Sequence, residues 1–151
     1  MESEMDTILS LSLGALGEHL GYHMQLAHGA MRRDIVERLA GFDLTRKQYG
    51  ALTIIALNEG VSQIDIAATL HTDRSTMMAL IDRLEKRKLI IRRKSRADGR
   101  RQELRITPEG SELLAVVNKI VREHDAKFSS RFSPAELEAL FIALKRIQRA
   151  A

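Results

Sequence analysis

The stretch Ser62 to Thr107, SQIDIAATLHTDRSTMMALIDRLEKRKLIIRRKSRADGRRQELRIT, strings together two helix signals, a tight turn and an arginine-laden hairpin. Its second half decides the reading. Lys86 to Arg105 holds ten basic residues (Lys86, Arg87, Lys88, Arg92, Arg93, Lys94, Arg96, Arg100, Arg101, Arg105) against only Asp98 and Glu103, a net of +8. The whole chain has 24 basic and 20 acidic residues for a net of +4, so everything outside this segment sums to −4. Positive charge is therefore gathered on one element rather than spread for solubility. A focused basic patch joined to helix-turn-helix spacing is the footprint of a polyanion-binding surface, and duplex DNA is the partner it implies.

Working outward, helix starts are written clearly. Thr45-Arg46-Lys47-Gln48 is a capping box with Leu44 and Tyr49 as a hydrophobic staple, and Ser62-Gln63-Ile64-Asp65 repeats it with Val61 and Ile66. Thr107-Pro108 puts a hydroxyl at the N-cap and proline at N1, while Ser133-Pro134-Ala135-Glu136 combines box and proline, with Phe132 and Leu137 as staple. These signals predict a mainly α fold with a small β-hairpin. Helices are expected over 45–57, ending near Asn58-Glu59-Gly60, over 63–70, and from Arg74 to about Arg87 behind a His71-Thr72-Asp73 turn. Leu89-Ile90-Ile91 reads as a strand, Arg96-Ala97-Asp98-Gly99 as a turn, and Glu103 to Ile106 as the returning strand.

Long apolar stripes flank this block. Leu9, Leu13, Leu16, Leu20, Met24, Ala27, Met31, Ile35 and Leu39 recur at helical spacing, predicting one helix from about Ile8 to Leu39. Gly14, Gly17, Gly21 and Gly29 lie inside it, each costing roughly 1 kcal/mol relative to alanine. Such a helix needs a packing partner. Leu113, Val117, Ile120, Val121, His124 and Phe128 form a second stripe, and Leu137, Leu140, Phe141, Leu144 and Ile147 a third.

On the helix from Arg74, Met77, Leu80, Ile81 and Leu84 share one side and are assigned to the core. Ser75, Ala79, Asp82 and Lys86 lie opposite, with Thr76, Met78 and Arg83 on the flanks. Hydroxyls can exchange hydrogen bonds with base edges, and Ala or Met can meet a thymine methyl. The N-terminal residues of such a helix are those presented to a major groove. A solvated helix face is the bland alternative, weakened by the neighbouring basic hairpin. The hairpin itself can reach phosphates or a narrow minor groove, with Asp98 placed to pair with a hairpin arginine and orient the tip.

Composition removes several function classes. Cysteine is absent, which excludes disulfides, thiolate chemistry, zinc-finger sites and cysteine redox sensing. With aromatics at 4% and no tryptophan, base-stacking recognition of single strands is disfavoured. No phosphate-binding glycine loop, nucleophile elbow or zinc-protease motif is present, so the chain reads as a non-enzyme without cofactors. The acidic N-terminus lacks a signal-peptide pattern and no apolar run approaches membrane-spanning length, so a soluble cytoplasmic protein is expected.

At Arg74-Ser75-Thr76, Asp82-Arg83-Leu84-Glu85-Lys86, Leu89-Ile90, Asp98-Gly99-Arg100, Leu104 to Thr107 and Gly110, the sequence closely resembles the MarR family of winged helix-turn-helix regulators. The family's wing pattern is Asp-x-Arg, five residues, then Leu-Thr; here Ile106 stands for the leucine. Lys88 stands where many members have glycine, and lysine tolerates a left-handed backbone less well, so the helix-to-wing turn is expected to differ. The resemblance covers essentially the whole chain. It implies N- and C-terminal dimerisation helices (1–44 and 108–151) around a DNA-binding lobe (45–107). Two-fold symmetry then predicts a homodimer on a pseudo-palindromic site with half-sites about one helical turn apart. It further implies repression released by a small aromatic or anionic effector.

The DNA-binding candidates are Arg74, Ser75, Thr76, Ala79 and Arg83 for the major groove and adjacent phosphates. Arg92, Arg93, Arg100 and Arg101, with Asp98 as positioner, are assigned to the wing, and Ser62 and Gln63 to phosphate at a helix start. His19 and His23, four residues apart with Tyr22 and Arg32 nearby, stand open between an effector site, a metal site and a packed dimer face. The alternative function is a metal-responsive or structural dimer binding nucleic acid non-specifically. His28, His71 and His124 read as structural or solvated, and the methionines as core filler.

Overall fold

The computed structural model describes residues 12–95, 99 and 102–149. The chain forms two compact units, Met1–Asp34 and Ile35–Ala151. In the first, the described residues make a 3-10 turn at Gly14–Glu18, an extended His19 (φ −81°, ψ 121°) and the start of helix α1, Leu20–Leu39. The single helix expected from Ile8 to Leu39 is thus corrected: residues 8–11 lie outside the described residues, and His19 interrupts the rest. Gly14 stands at φ +49°, with Gly17 and Gly21 on either side of the break. Three glycines in eight residues remove the propensity that would carry a helix through. His19 and His23 therefore share no helical face.

The second unit contains the end of α1, then α2 (Arg46–Leu57), α3 (Gln63–Thr69), α4 (Arg74–Lys86), β1 (Ile90–Lys94), β2 (Gln102–Ile106), α5 (Pro108–Ser129) and α6 (Pro134–Gln148). The strands pair antiparallel, from Ile90 opposite Ile106 to Lys94 opposite Gln102. Leu104 N–H also donates to Val61 O at 2.9 Å, tying the approach to α3 onto β2. Leu52, Ile66, Met77, Ile81, Leu84, Ile90, Leu104 and Val117 are all under 2% exposed and form the core between α2, α3, α4, α5 and the hairpin. Each such side chain contributes about 1.5–3 kcal/mol through burial. Helix α6 buries none of its residues.

Local chemistry explains the helix ends. Thr45, Ser62 and Ser133 all close the reciprocal boxes read from the sequence. Asp73 caps α4, accepting from Thr76 N–H at 2.8 Å and from the Ser75 hydroxyl at 2.6 Å. The hydrogen bonds from Ser75 and then Thr76 hold the Asp73 carboxyl well below its ordinary value of 3.8. The turns after α3 and α4 are both six-to-one closures with a non-glycine residue in the left-handed position. After α3, His71 (φ 47°) donates to Ala68 O and Thr72 to Ala67 O. After α4, Lys88 (φ 59°) donates to Glu85 O at 2.8 Å and Leu89 to Leu84 O at 3.0 Å. Lysine therefore adopts the left-handed turn it was expected to avoid. The strain costs about 1–2 kcal/mol, and it is offset by two hydrogen bonds and the burial of Leu84 and Leu89.

The start of α5 is pressed onto this turn. Thr107 donates through its hydroxyl to Lys88 O at 2.7 Å and through its N–H to Leu89 O at 3.1 Å. Gly110 is buried there, and a β-carbon on it would lie 2.1 Å from Leu89 O and 2.9 Å from Ile106 Cγ1. Backbone on one side and core on the other leave no room to yield.

Gly110→Ala is therefore expected to lower unfolding free energy by about 1–3 kcal/mol or more, measured by urea denaturation; an unchanged midpoint would refute this contact. Asp73→Asn keeps a competent cap without the charge. Because the folded carboxyl sits below its unfolded value, its stabilisation is full above that value and disappears as pH falls through the folded one. The stability difference between the native protein and the Asp73→Asn variant should be constant above about pH 5 and shrink toward pH 3; a gap independent of pH would count against the assignment.

Candidate nucleic-acid interface

Burial of Met77, Leu80, Ile81 and Leu84 turns the opposite side of α4 to solvent. Arg74, Ser75, Thr76, Met78, Ala79, Arg83 and Lys86 are all exposed. The five candidates placed on this helix thus lie together on or beside one open face. The Ser75 hydroxyl donates to Asp73, so its proton is committed and its oxygen is left to act as an acceptor. Met78, half exposed beside Ala79, is an apolar side chain of the kind that can meet a thymine methyl.

The charges of the hairpin are not all equally free. Arg93 and Lys94 are exposed near the end of β1. Together with Glu103 and Arg105 they line a cleft of about 130 Å³. Glu103 lies opposite Arg93 in register and 3.6 Å from Arg105. Arg92, grouped with the phosphate-facing arginines in the sequence, turns toward α4 instead. Its Nη2 donates to Asp82 Oδ1 at 2.5 Å and its Nη1 to Glu85 Oε2. Strand alternation from the inward Ile90 is the signal that finds this, since residues two apart share a face.

Ser62 also departs from its assignment. Its side chain is buried and serves the α3 cap, accepting from Asp65 N–H and donating to Asp65 Oδ2 at 2.8 Å. A hydroxyl used to close a helix inward is not presented to a phosphate. Gln63 is half-buried on the first turn of α3. Asp98, Arg100 and Arg101 lie outside the described residues. Arg87 has a role its position in the charge run did not signal: its guanidinium donates to Phe42 O at 3.0 Å and to Asp43 O, tying the end of α4 to the corner before α2.

In the first unit, His23 Nε2 lies 2.6 Å from Gly17 O and the Tyr22 and His23 rings meet edge-on at 5.6 Å. Arg32 is exposed ten residues beyond Tyr22, about 15 Å along α1. The four effector candidates therefore do not converge: Tyr22 and His23 are neighbours, His19 is exposed at the break and Arg32 stands apart. Among the described residues, no group of three or more His, Asp or Glu is arranged to hold a metal ion. No described helix is long and apolar enough to cross a membrane.

The fold is shared with known regulators. The MarR family model matches residues 42–101. A Thauera aromatica protein assigned as the transcriptional regulatory protein for the hcr operon is 35% identical over 137 residues, covering 90% of this chain and 82% of that protein. Among solved structures, a transcriptional repressor, CouR, bound to a 23-mer DNA duplex matches with a TM-score of 0.85 at 31% identity, covering 92% of this chain and 99% of that one. CouR bound to p-coumaroyl-CoA matches at 0.81 and 30%, covering 93% and 99%. With an exposed helix and basic hairpin on the page, and this identity across nine-tenths of its length, the chain belongs to the MarR family of transcriptional regulators.

Proposed function

We propose that this protein is a homodimeric, sequence-specific repressor that binds a pseudo-palindromic duplex and is released by a small aromatic, anionic effector. The observation that carries the reading is the open face of α4, Arg74, Ser75, Thr76, Ala79 and Arg83, beside a hairpin within a segment of net +8. In this reading α4 enters the major groove, Arg74 and Arg83 meet base edges or flanking phosphates, and Arg93, Arg100 and Arg101 serve the wing. Residues 45–107 are the reading lobe, and 1–44 with 108–151 the dimerisation region. Support for a dimer comes from apolar side chains left in solvent: Leu16, Leu20 and Leu26 in the first unit, and Phe141, Ile142 and Ile147 on α6 in the second. The effector class is supported by the match to CouR bound to p-coumaroyl-CoA.

Titration of a candidate promoter fragment against a random duplex at about 150 mM salt tests the core of this. A preference of about 10³ or more is expected, with Arg83→Ala weakening specific binding by about 1–3 kcal/mol while leaving the fold intact. Equal affinity for every duplex would refute sequence reading. A panel of aromatic acids and their coenzyme A thioesters should contain a member that releases the bound promoter; release by none would remove this effector class and leave the DNA reading standing.

A further inference from the structure

We propose that Arg92 is a positioning residue: by gripping Asp82 and Glu85 it locks the pitch of the β1–β2 hairpin to α4, so that helix and wing engage a duplex as one rigid piece. The inference rests on the DNA-reading function above.

By composition Arg92 is one more cation in a basic run. Its surroundings separate it from the others. Its side chain is only 22% exposed, and both terminal nitrogens are engaged by carboxylates. Asp82 and Glu85 are three residues apart and so neighbours on one side of α4. The planar guanidinium fork spans both, as a lysine ammonium could not. Arg92 also lies on the sheet face of Ile90, opposite Leu104 in register, and both of those are buried.

The two carboxylates are what need explaining. Asp82 lies on the outward side of α4 with Ser75, Ala79 and Lys86, where negative charge repels phosphate. A surface selected for charge alone would not carry it. It makes sense as half of a grip. The Lys88–Leu89 turn joins α4 to the root of the hairpin, and the Leu104–Val61 hydrogen bond with buried Ile90 and Leu104 seats the sheet on the core, but neither ties it to the outward side of α4. Arg92 is four residues beyond Lys88, at most about 13 Å along an extended strand, and supplies a second fixed point. Two points define a pitch, and an error there grows along the hairpin.

The decisive variant is D82N/E85Q, which leaves Arg92 in place and removes two negative charges from α4, one of them on its outward side. If Arg92 were a phosphate contact, this change would tighten binding to the preferred duplex. If Arg92 positions the wing, affinity for that duplex falls about tenfold, an energy near 1.4 kcal/mol, while affinity for random duplex holds or rises. R92K keeps the charge without the fork and should lose specific affinity in the same way; wild-type binding by R92K, or tighter specific binding by D82N/E85Q, overturns the proposal. A readout without DNA accompanies these: amide hydrogen exchange at 91–93 and 103–105 should quicken in both variants while α2 and α5 stay protected. Unchanged exchange in the hairpin also overturns it. Should the unmodified protein prefer no duplex, sequence reading fails, and the grip is judged by exchange alone.

Discussion

Leu89 is the residue through which three elements are joined. Its N–H closes α4 on Leu84 O, its carbonyl receives the Thr107 N–H, and its side chain is buried. Gly110 then brings α5 against that same carbonyl more closely than any side chain would permit. Buried backbone groups must find partners, so none of these contacts can be relaxed alone. The end of the outward-facing helix, the first residue of the hairpin and the first turn of α5 are consequently set together. Any displacement of α5 is felt directly at the end of α4 and the root of the hairpin.

The second constraint is charge. A segment of net +8 repels itself, and folding it into a hairpin against a helix brings those charges closer. The acids within reach are placed to relieve this. Asp82 and Glu85 take Arg92, and Glu103, mostly buried, faces Arg93 and pairs with Arg105. Arg74, Arg83, Lys86, Arg93 and Lys94 stay exposed. Positive charge is thus neutralised where it would disrupt packing and kept where a polyanion can reach it, an arrangement suited to a family of DNA-binding regulators.

Much of this was legible in the residue order because the signals are short. A hydroxyl at the N-cap reaches an amide three residues on whatever surrounds it, so Thr45, Ser62, Thr107 and Ser133 announced their helices correctly. A buried stripe at helical spacing leaves one side of α4 outward, which placed Arg74, Ser75, Thr76, Ala79 and Arg83 without knowledge of the rest. The hairpin followed from alternation and an Asp-Gly turn signal. Family membership followed from the same local motifs.

What the order of residues left open depended on partners distant in sequence or on competing costs. Arg92 and Arg93 are adjacent and chemically identical, yet one grips α4 and the other faces outward, a difference set by strand register against a particular helix. Ser62 carries the same hydroxyl whether it caps a helix or meets a phosphate; here it is buried and bonded to Asp65. Lys88 accepts a left-handed backbone because burial of Leu84 and Leu89 outweighs the strain, a balance that exists only once the core has formed. Local chemistry therefore determined which segments are helix, strand and turn. Tertiary packing decided which charges stay exposed and which hold the molecule together, since that choice depends on neighbours brought together only by folding.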